Sequence, residues 1–454
     1  MRVENDLGRD PIRRLVLRIA LPSMLAQFVS VLYSVVDRMY IGNIPGVGEL
    51  ALAGAGVCGP IVTMIGAAAF LVGVGGSPLM SVRMGAGDLP AARRILANCF
   101  LLLCALAAGL MALAYLTRRE ALLLFGASGA SLPYAQSYYT VYLAGTPFAL
   151  LATGMNQFII CQGYAKKGMF SVLLGAVTNI LLDPVFIFLL DLGVAGAALA
   201  TVLSQLVSCV FVLAFLFGPT PPVPISFGGY DPRVMGRVLA TGFTPFVIIA
   251  FDNLMIIALN ALLQKYGGTA QGDHLVAAAT IAQSFMLVVT MPLGGITGGT
   301  GAILGYNYGA GQPRRILQAQ KTILLLGIGY TALLFLLGQA APGPFVAIFT
   351  RDSQVAPLAV QAIRICTLGI VPLAVQYTIV DGFTGMGMMQ YSLPLSFFRK
   401  AIYFIPLFLL PAGFGAMAAF AAEPISDFVA PVVSAAVYWR RIRHVVGLRP
   451  KKTP

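Results

Sequence analysis

The chain is 454 residues long, 58% hydrophobic and 10% charged, with a formal net charge of +13. Water-soluble domains carry about 25% charged residues, and a chain this apolar could not present a polar exterior to water, which excludes a soluble enzyme. The lysines and arginines stand in short clusters between apolar runs without aromatic interleaving, which orients membrane helices and does not build a nucleic-acid surface.

Each crossing takes roughly 20 apolar residues, so this length allows about a dozen. The N-terminal stretch MRVENDLGRDPIRRLVLRIALPSML lacks a cleavable signal pattern, and its apolar run reads as a retained membrane helix. Cutting at charge clusters and Gly/Pro turns predicts helices over 13–42, 49–81, 92–117, 131–162, 167–190, 194–218, 233–264, 274–305, 315–340, 354–386, 392–411 and 413–439. Several exceed the hydrocarbon thickness and call for tilt or kinks. Cys58, Cys99, Cys104, Cys161, Cys209 and Cys366 all lie in apolar runs without a CxxC. They read as small hydrophobes, with no disulfide framework and no cysteine metal site.

With the N-terminus in the cytoplasm, alternation puts 23 Lys and Arg inside, among them Arg399 and Lys400. Five fall outside (Arg38, Arg118, Arg119, Lys265, Arg351), and Arg364 lies within a helix, accounting for all 29. An odd helix count would scramble this asymmetry, so twelve helices with both termini cytoplasmic are expected. The division is 1–218 for the first six-helix lobe, 219–232 for a cytoplasmic linker, 233–445 for the second lobe and 446–454 for a basic cytoplasmic tail.

The halves repeat. GAGDLPAARRIL (Gly85 to Leu96) after helix 2 recurs as GAGQPRRIL (Gly309 to Leu317) after helix 8. Asp10-Pro11 answers Asp231-Pro232, Pro22 answers Pro245, and Asp37 falls opposite Asn260; later, Gln162-Gly163 pairs with Thr384-Gly385 and Pro184 with Pro406. Six helices per half give both repeats the same orientation, so the pseudo-two-fold axis runs along the membrane normal. Repeats of this kind place sites near the midplane and alternate access by rocking.

Ionisable groups inside membrane helices are costly and face a cavity or the bundle interior. Helix 1 carries Asp37. Helix 5 carries Asn179 and Asp183 four residues apart, on one face, with Pro184 directly after to bend the helix and free a carbonyl. Helix 6 supplies Thr201 among small residues that permit close approach. Together these form a hard oxygen-donor set suited to Na⁺, and two near carboxylates also suit a proton. The structural alternative pairs Asp37 with Arg38 and makes Asp183 the cap of a break. In the second half Asp252, Asn260, Asp381, Glu423 and Asp427 are scattered, and Ala401 and Ile405 stand opposite Asn179 and Asp183. Asp252 and Asp381 are candidates for substrate or ion; Asp427 is a candidate partner of Arg399. Tyr138, Tyr139, Asn156 and Gln157 in helix 4, with Met286 and other methionines, are candidate linings of a central cavity.

These motifs resemble the multidrug and toxic compound extrusion (MATE) family over nearly the whole chain. The resemblance rests on VVDRMYIGN, GAGD, TNILLDPVFIF with GVAGAALATVLSQ, GYNYGAGQ, FFRKAIYFIPL and AAEPISDF, and is nearest the bacterial DNA-damage-inducible branch. It implies an all-α integral membrane protein with twelve transmembrane helices in two pseudo-symmetric six-helix bundles around a V-shaped cleft. The implied activity is antiport: organic cations or amphipathic drugs exported against inward H⁺ or Na⁺, with no cofactor beyond that ion. The family's cation site maps onto Asp37, Asn179, Asp183 and Thr201, and Asn156 sits where the family has cleft-facing amides; its carboxy-lobe carboxylates are matched only loosely by Asp252 and Asp381. With Tyr139, Asn260 and Met286, which the residues themselves suggest, these are the candidate substrate-cleft residues. Occupancy of the cation cluster would bend helix 1 near Pro22 or helix 5 near Pro184. Where the family commonly has Gln, helix 12 has Glu423. The resemblance further implies a monomer in the bacterial inner membrane, handling small drug-like molecules. The alternative function is a flippase for lipid-linked sugar or peptidoglycan precursors, which should show a cationic cleft; the intramembrane charges here are mostly acidic. No HExxH, nucleophile elbow or Walker sequence supports an enzyme.

Overall fold

The computed structural model describes residues 4–125, 129, 131–350 and 352–447. Arg2, Arg351 and most of the expected tail, with Arg449, Lys451 and Lys452, lie outside the described residues. The regular structure among the described residues is helical throughout.

The first half contains α1 Ile12–Gly42, α2 Gly48–Gly85, α3 Leu89–Leu116, α4 Arg118–Leu124, α5 Leu132–Ala144, α6 Thr146–Ile160, α7 Ala165–Pro184 and α8 Gly193–Phe217. The second contains α9 Pro232–Gly268, α10 His274–Gly309, α11 Pro313–Ala340, α12 Pro342–Phe349, α13 Val355–Cys366, α14 Ile370–Gly385, α15 Met389–Phe414 and α16 Ala422–Gly447. Among the described residues eleven helices are long and apolar enough to cross a membrane, α13 and α14 forming one of them, and the bent pair α5–α6, counted as one span, makes a twelfth.

That twelfth crossing corrects one expectation. Residues 131–162 are not one continuous helix but two, bent by 56° at Gly145. Pro147 has no N–H to offer the carbonyl of Leu143, so the ladder breaks there. Gly145 also lies so close to α8 that an added Cβ would stand 2.6 Å from Val202 Cγ2. The short helices α4 and α12, read as loops in the sequence, follow α3 and α11 directly.

The repeat extends to individual hydrogen bonds. After α2, the amides of Ala86, Gly87 and Asp88 bond to Val82, Met84 and Arg83 carbonyls; after α10, Ala310, Gly311 and Gln312 bond to Tyr306, Tyr308 and Asn307. The reaching-back pattern is the same at each step. Gly87 (φ +76°) and Gly311 (φ +65°) both need the left-handed region, which glycine enters without steric cost. Gly163 (φ +92°) has its counterpart in Gly387 (φ +74°), where both turns again bond three and five residues back. The expected pairing of Gly163 with Gly385 is therefore displaced by two residues. Gly385 is helical and instead lets α14 approach α10: an added Cβ would lie 2.7 Å from Gly301 Cα.

Two compact units divide the chain. Unit 1 holds residues up to Arg9 together with Leu25–Phe246, and unit 2 holds Asp10–Met24 and everything from Val247 onward. The division is not at the expected 219–232 linker. That segment docks on unit 1, where Val223 N donates to Gln162 Oε1 (2.9 Å), Tyr164 to the Thr220 carbonyl (3.2 Å) and Asn98 to the Gly229 carbonyl (3.1 Å). The units part inside the lead helices α1 and α9, a residue or two beyond Pro22 and Pro245. The first part of α9 packs in unit 1 through Gly75 and Gly242, and the first part of α1 packs in unit 2 against Gly295 and Gly299.

Candidate functional site

In unit 1, α7 runs to Pro184 and continues as one π-helical turn, Val185–Leu189, closed by Leu190 N to the Val185 carbonyl at 2.9 Å. The proline supplies no N–H for the carbonyl of Ile180, so the α ladder loosens one residue after Asp183. The chain then turns through Gly193 into α8. Gly196 brings α8 onto the π turn, where an added Cβ would lie 2.6 Å from the Phe186 carbonyl oxygen. This close approach sets the height of Thr201 against α7.

There the expected residues meet. Asn179 Nδ2 donates to Asp183 Oδ1 at 3.2 Å and to Thr201 Oγ1 at 3.4 Å, and Thr201 itself donates to the Ala197 carbonyl at 3.1 Å. Asn179 and Asp183 are 1% and 0% exposed. Asp37 of α1 is near enough for its charge to act on Asp183, and also on Tyr33 and Tyr138. The alternative in which Asp37 forms an ion pair with Arg38 is not seen among the described ion pairs.

Three acceptors in this group, Asp37 Oδ1, Asn179 Oδ1 and Asp183 Oδ2, are buried and find no hydrogen-bond donor among the described residues. Leaving a buried acceptor unsatisfied costs about 1–3 kcal/mol, and more for a charged group. Such atoms mark a place where a cation or proton is stabilising. Among the described residues no group of three His, Cys, Asp or Glu is placed to hold a metal ion, and the donors here are carboxylate, amide and hydroxyl oxygens. That chemistry suits a hard cation. Tyr33 was not singled out in the sequence; its position one turn before Asp37 on α1 is the signal that could have found it.

The proposed cleft residues divide between the units, Tyr139 and Asn156 in unit 1 and Asp252, Asn260, Met286 and Asp381 in unit 2. Tyr139 is 1% exposed and packed inside unit 1. Asn156, also buried, accepts from Ser171 at 3.2 Å. Met286 packs against the apolar core of unit 2. Asn260 Oδ1 is buried without a donor among the described residues. Asp381 accepts from Thr297 at 2.5 Å, and Asp252 pairs with Lys400.

Unit 2 also holds a charge network that corrects the orientation count. Arg399 and Lys400 are expected on the cytoplasmic side, yet they lie about 15 Å along α15 from its start, Lys400 buried and the Arg399 side chain 11% exposed. Arg399 bonds Asp427 at 2.9 Å and Glu423 at 3.1 Å, the partnership with Asp427 that the sequence raised. Removing these two from the inner count leaves 21 against 5, so the asymmetry survives.

Fold and site define a multi-pass membrane protein of two repeated six-helix units, one of which encloses a buried cluster of oxygen acceptors. Residues 22–185 and 248–410, one stretch in each half, match the MatE family, and the chain belongs to it. The FAD transporter of Shewanella oneidensis is 26% identical over 427 residues, covering 90% of each chain. The multidrug export protein MepA of Staphylococcus aureus is 21% identical over 416 residues, covering 90% of this chain and 89% of that one. Among solved structures, the outward-facing conformation of a multidrug resistance MATE family transporter of the MOP superfamily is similar in fold, with TM-score 0.89, 23% identity and 97% and 98% of the two chains covered. A MOP superfamily transporter from Pyrococcus furiosus, whose binding pocket is described as of reverse polarity, matches with the same score, identity and coverage.

Proposed function

We propose that this protein is a secondary active antiporter of the bacterial inner membrane, with both termini cytoplasmic, that exports organic cations or amphipathic drugs in exchange for inward H⁺ or Na⁺. The observation that carries the reading is the group of three donorless buried acceptors on Asp37, Asn179 and Asp183. The coupling ion binds there, with Thr201 completing the set. Its arrival compensates the buried carboxylates, and its departure restores an unfavourable, unpaired site. A two-state protein can couple such a change to cargo binding only if the two states differ in affinity for the ion. The prolines at the division points of α1 and α9 are where that difference would be expressed.

A cationic cargo is favoured because Asp252, half-exposed, and Asp381 lie in the spans of unit 2. The flavin nucleotide carried by the Shewanella relative would need positive partners. Among the described residues, Arg399 and Lys400 are cations enclosed in the spans of unit 2, and both are already held by carboxylates. The same argument puts the lipid-pyrophosphate flippase behind the antiporter.

The test is transport in liposomes, with Na⁺ and pH gradients imposed separately on a fluorescent cationic drug and on FAD. The gradient that drives counter-movement identifies the coupling ion. Asp183→Asn should lower coupled drug movement at least tenfold, which corresponds to about 1.4 kcal/mol of lost coupling. Wild-type rates in that variant would remove the cation assignment.

A further inference from the structure

Lys400 is a buried cation that the exchange in unit 1 does not use. It is 4% exposed on α15, and its ammonium bonds the Oδ1 of Asp252 on α9. The pair is lopsided: the Lys400 side chain is 5% exposed, that of Asp252 50%. The acid is open to the outside of the packed interior, and the amine is nearly enclosed beside it. Lys400 also feels Arg399 on its own helix and Glu423 on α16. The other titratable groups of this cluster are Cys366 of α13, Tyr377 and Asp381 of α14, Tyr403 of α15 and Asp427 of α16. Glu423 and Asp427 are bonded to Arg399, and Asp252 is the one carboxylate bonded to Lys400 among the described residues.

A buried ammonium persists only while it is paired. Deprived of its counter-ion it becomes a neutral amine rather than an isolated charge. Aromatic rings flank this pair. Phe251, next to Asp252 in sequence, meets Phe397 edge-on at 5.4 Å and Phe404 at 6.5 Å. Phe397 and Phe404 are three residues before and four after Lys400, on its face of the helix. A carboxylate beside aromatic rings is a setting for an organic cation.

We propose that Asp252 and Lys400 form a cation–proton exchange site in unit 2, at which an organic monocation binds Asp252 and Lys400 releases its proton. One N–H bond of the ammonium breaks, its electron pair stays on Nζ, and the proton passes to water. One positive charge enters as one leaves, so the charge of the site is conserved. The proposal rests on the reading of the protein as an exporter of cations, and it places a second exchange away from Asp183.

The test is titration of the purified protein, in weak buffer with a pH-sensitive dye, by tetraphenylphosphonium, a cation with no titratable proton. Binding should release close to one proton per cation, and affinity should rise about tenfold per pH unit, the slope of one-for-one linkage. Lys400→Met should bind more tightly at neutral pH and lose both the proton release and the slope. Lys400→Arg keeps a charge that cannot leave, and should bind at least about tenfold more weakly. These opposite directions are not produced by damage to folding. The double variant Asp252→Asn/Lys400→Met, which buries no charge at the site, should lose the affinity. Proton release persisting in Lys400→Met, or both single variants moving affinity the same way, overturns the inference. Release abolished by Asp183→Asn and unchanged by Lys400→Met places the exchange in unit 1 and overturns this inference alone. A wild-type protein that neither binds nor moves the cation overturns the proposed function as well.

Discussion

Gly242 shows how much of this molecule depends on single atoms. A Cβ built there would lie 1.6 Å from the carbonyl oxygen of Leu71, and one on the facing Gly75 would lie 2.4 Å from the Val238 carbonyl oxygen. Backbone meets backbone, which is how membrane helices gain packing without a hydrophobic drive between them. Gly242→Ala must push α9 from α2 and is expected to cost about 1–3 kcal/mol, read as a lower melting temperature and poorer folded yield in detergent. Gly56→Ala, with nothing within 4 Å of the added atom, should leave both unchanged. At this scale the sequence was legible wherever partners are near in the chain. Asn179 and Asp183 are one turn apart, and their shared face follows from the helical period. Lys400 and Asp252 are 148 residues apart. Nothing local pairs them, and the adjacent Arg399 and Lys400 looked like an interfacial cluster because such clusters usually end a membrane helix.

The elements were legible from their apolar length, and their interruptions only in part. The break at Gly145 and the three-residue 3₁₀ segment Thr367–Gly369 between α13 and α14 sit within apolar runs that hydropathy does not divide. Turn glycines carried the repeat, but the offset between halves shifts along the chain. It is 224 at Gly87 and Gly163, while Pro184 and Pro406 keep 222. Small insertions in loops cost little, so one frame could not hold throughout. The prolines of the lead helices were visible in the sequence; that they lie where each helix leaves one unit for the other was not. Pro22 deprives the carbonyl of Arg18, and Pro245 that of Thr241, of their i+4 donors. Both helices therefore bend more easily next to the division. Pro22→Ala and Pro245→Ala restore a backbone hydrogen bond and should stiffen α1 and α9. The expected result is an equal or higher melting temperature with drug transport slowed several-fold. Unchanged transport in both variants would mean that neither helix bends during the cycle.

For the whole molecule, the arrangement of helices across the membrane is fixed by charge, and charge makes a prediction that labelling can check. With Arg399 and Lys400 inside α15, the loops on the side proposed for both termini still carry most of the remaining Lys and Arg, which the positive-inside rule assigns to the cytoplasm. Phe227, in the segment between the sixth and seventh crossings, is 74% exposed, and Leu124, after the third crossing, is 84% exposed. Twelve crossings place these two residues on opposite faces; if the bent pair α5–α6 did not cross, they would share one. The native cysteines give a low background, since five are buried and Cys104 is half-buried, and Cys104→Ser lowers it further. In that background a membrane-impermeant maleimide should label Leu124→Cys in intact spheroplasts and Phe227→Cys only in inverted vesicles. Labelling of both from the same side would mean that α5 and α6 enter and leave by one face. The second repeat would then be inverted relative to the first.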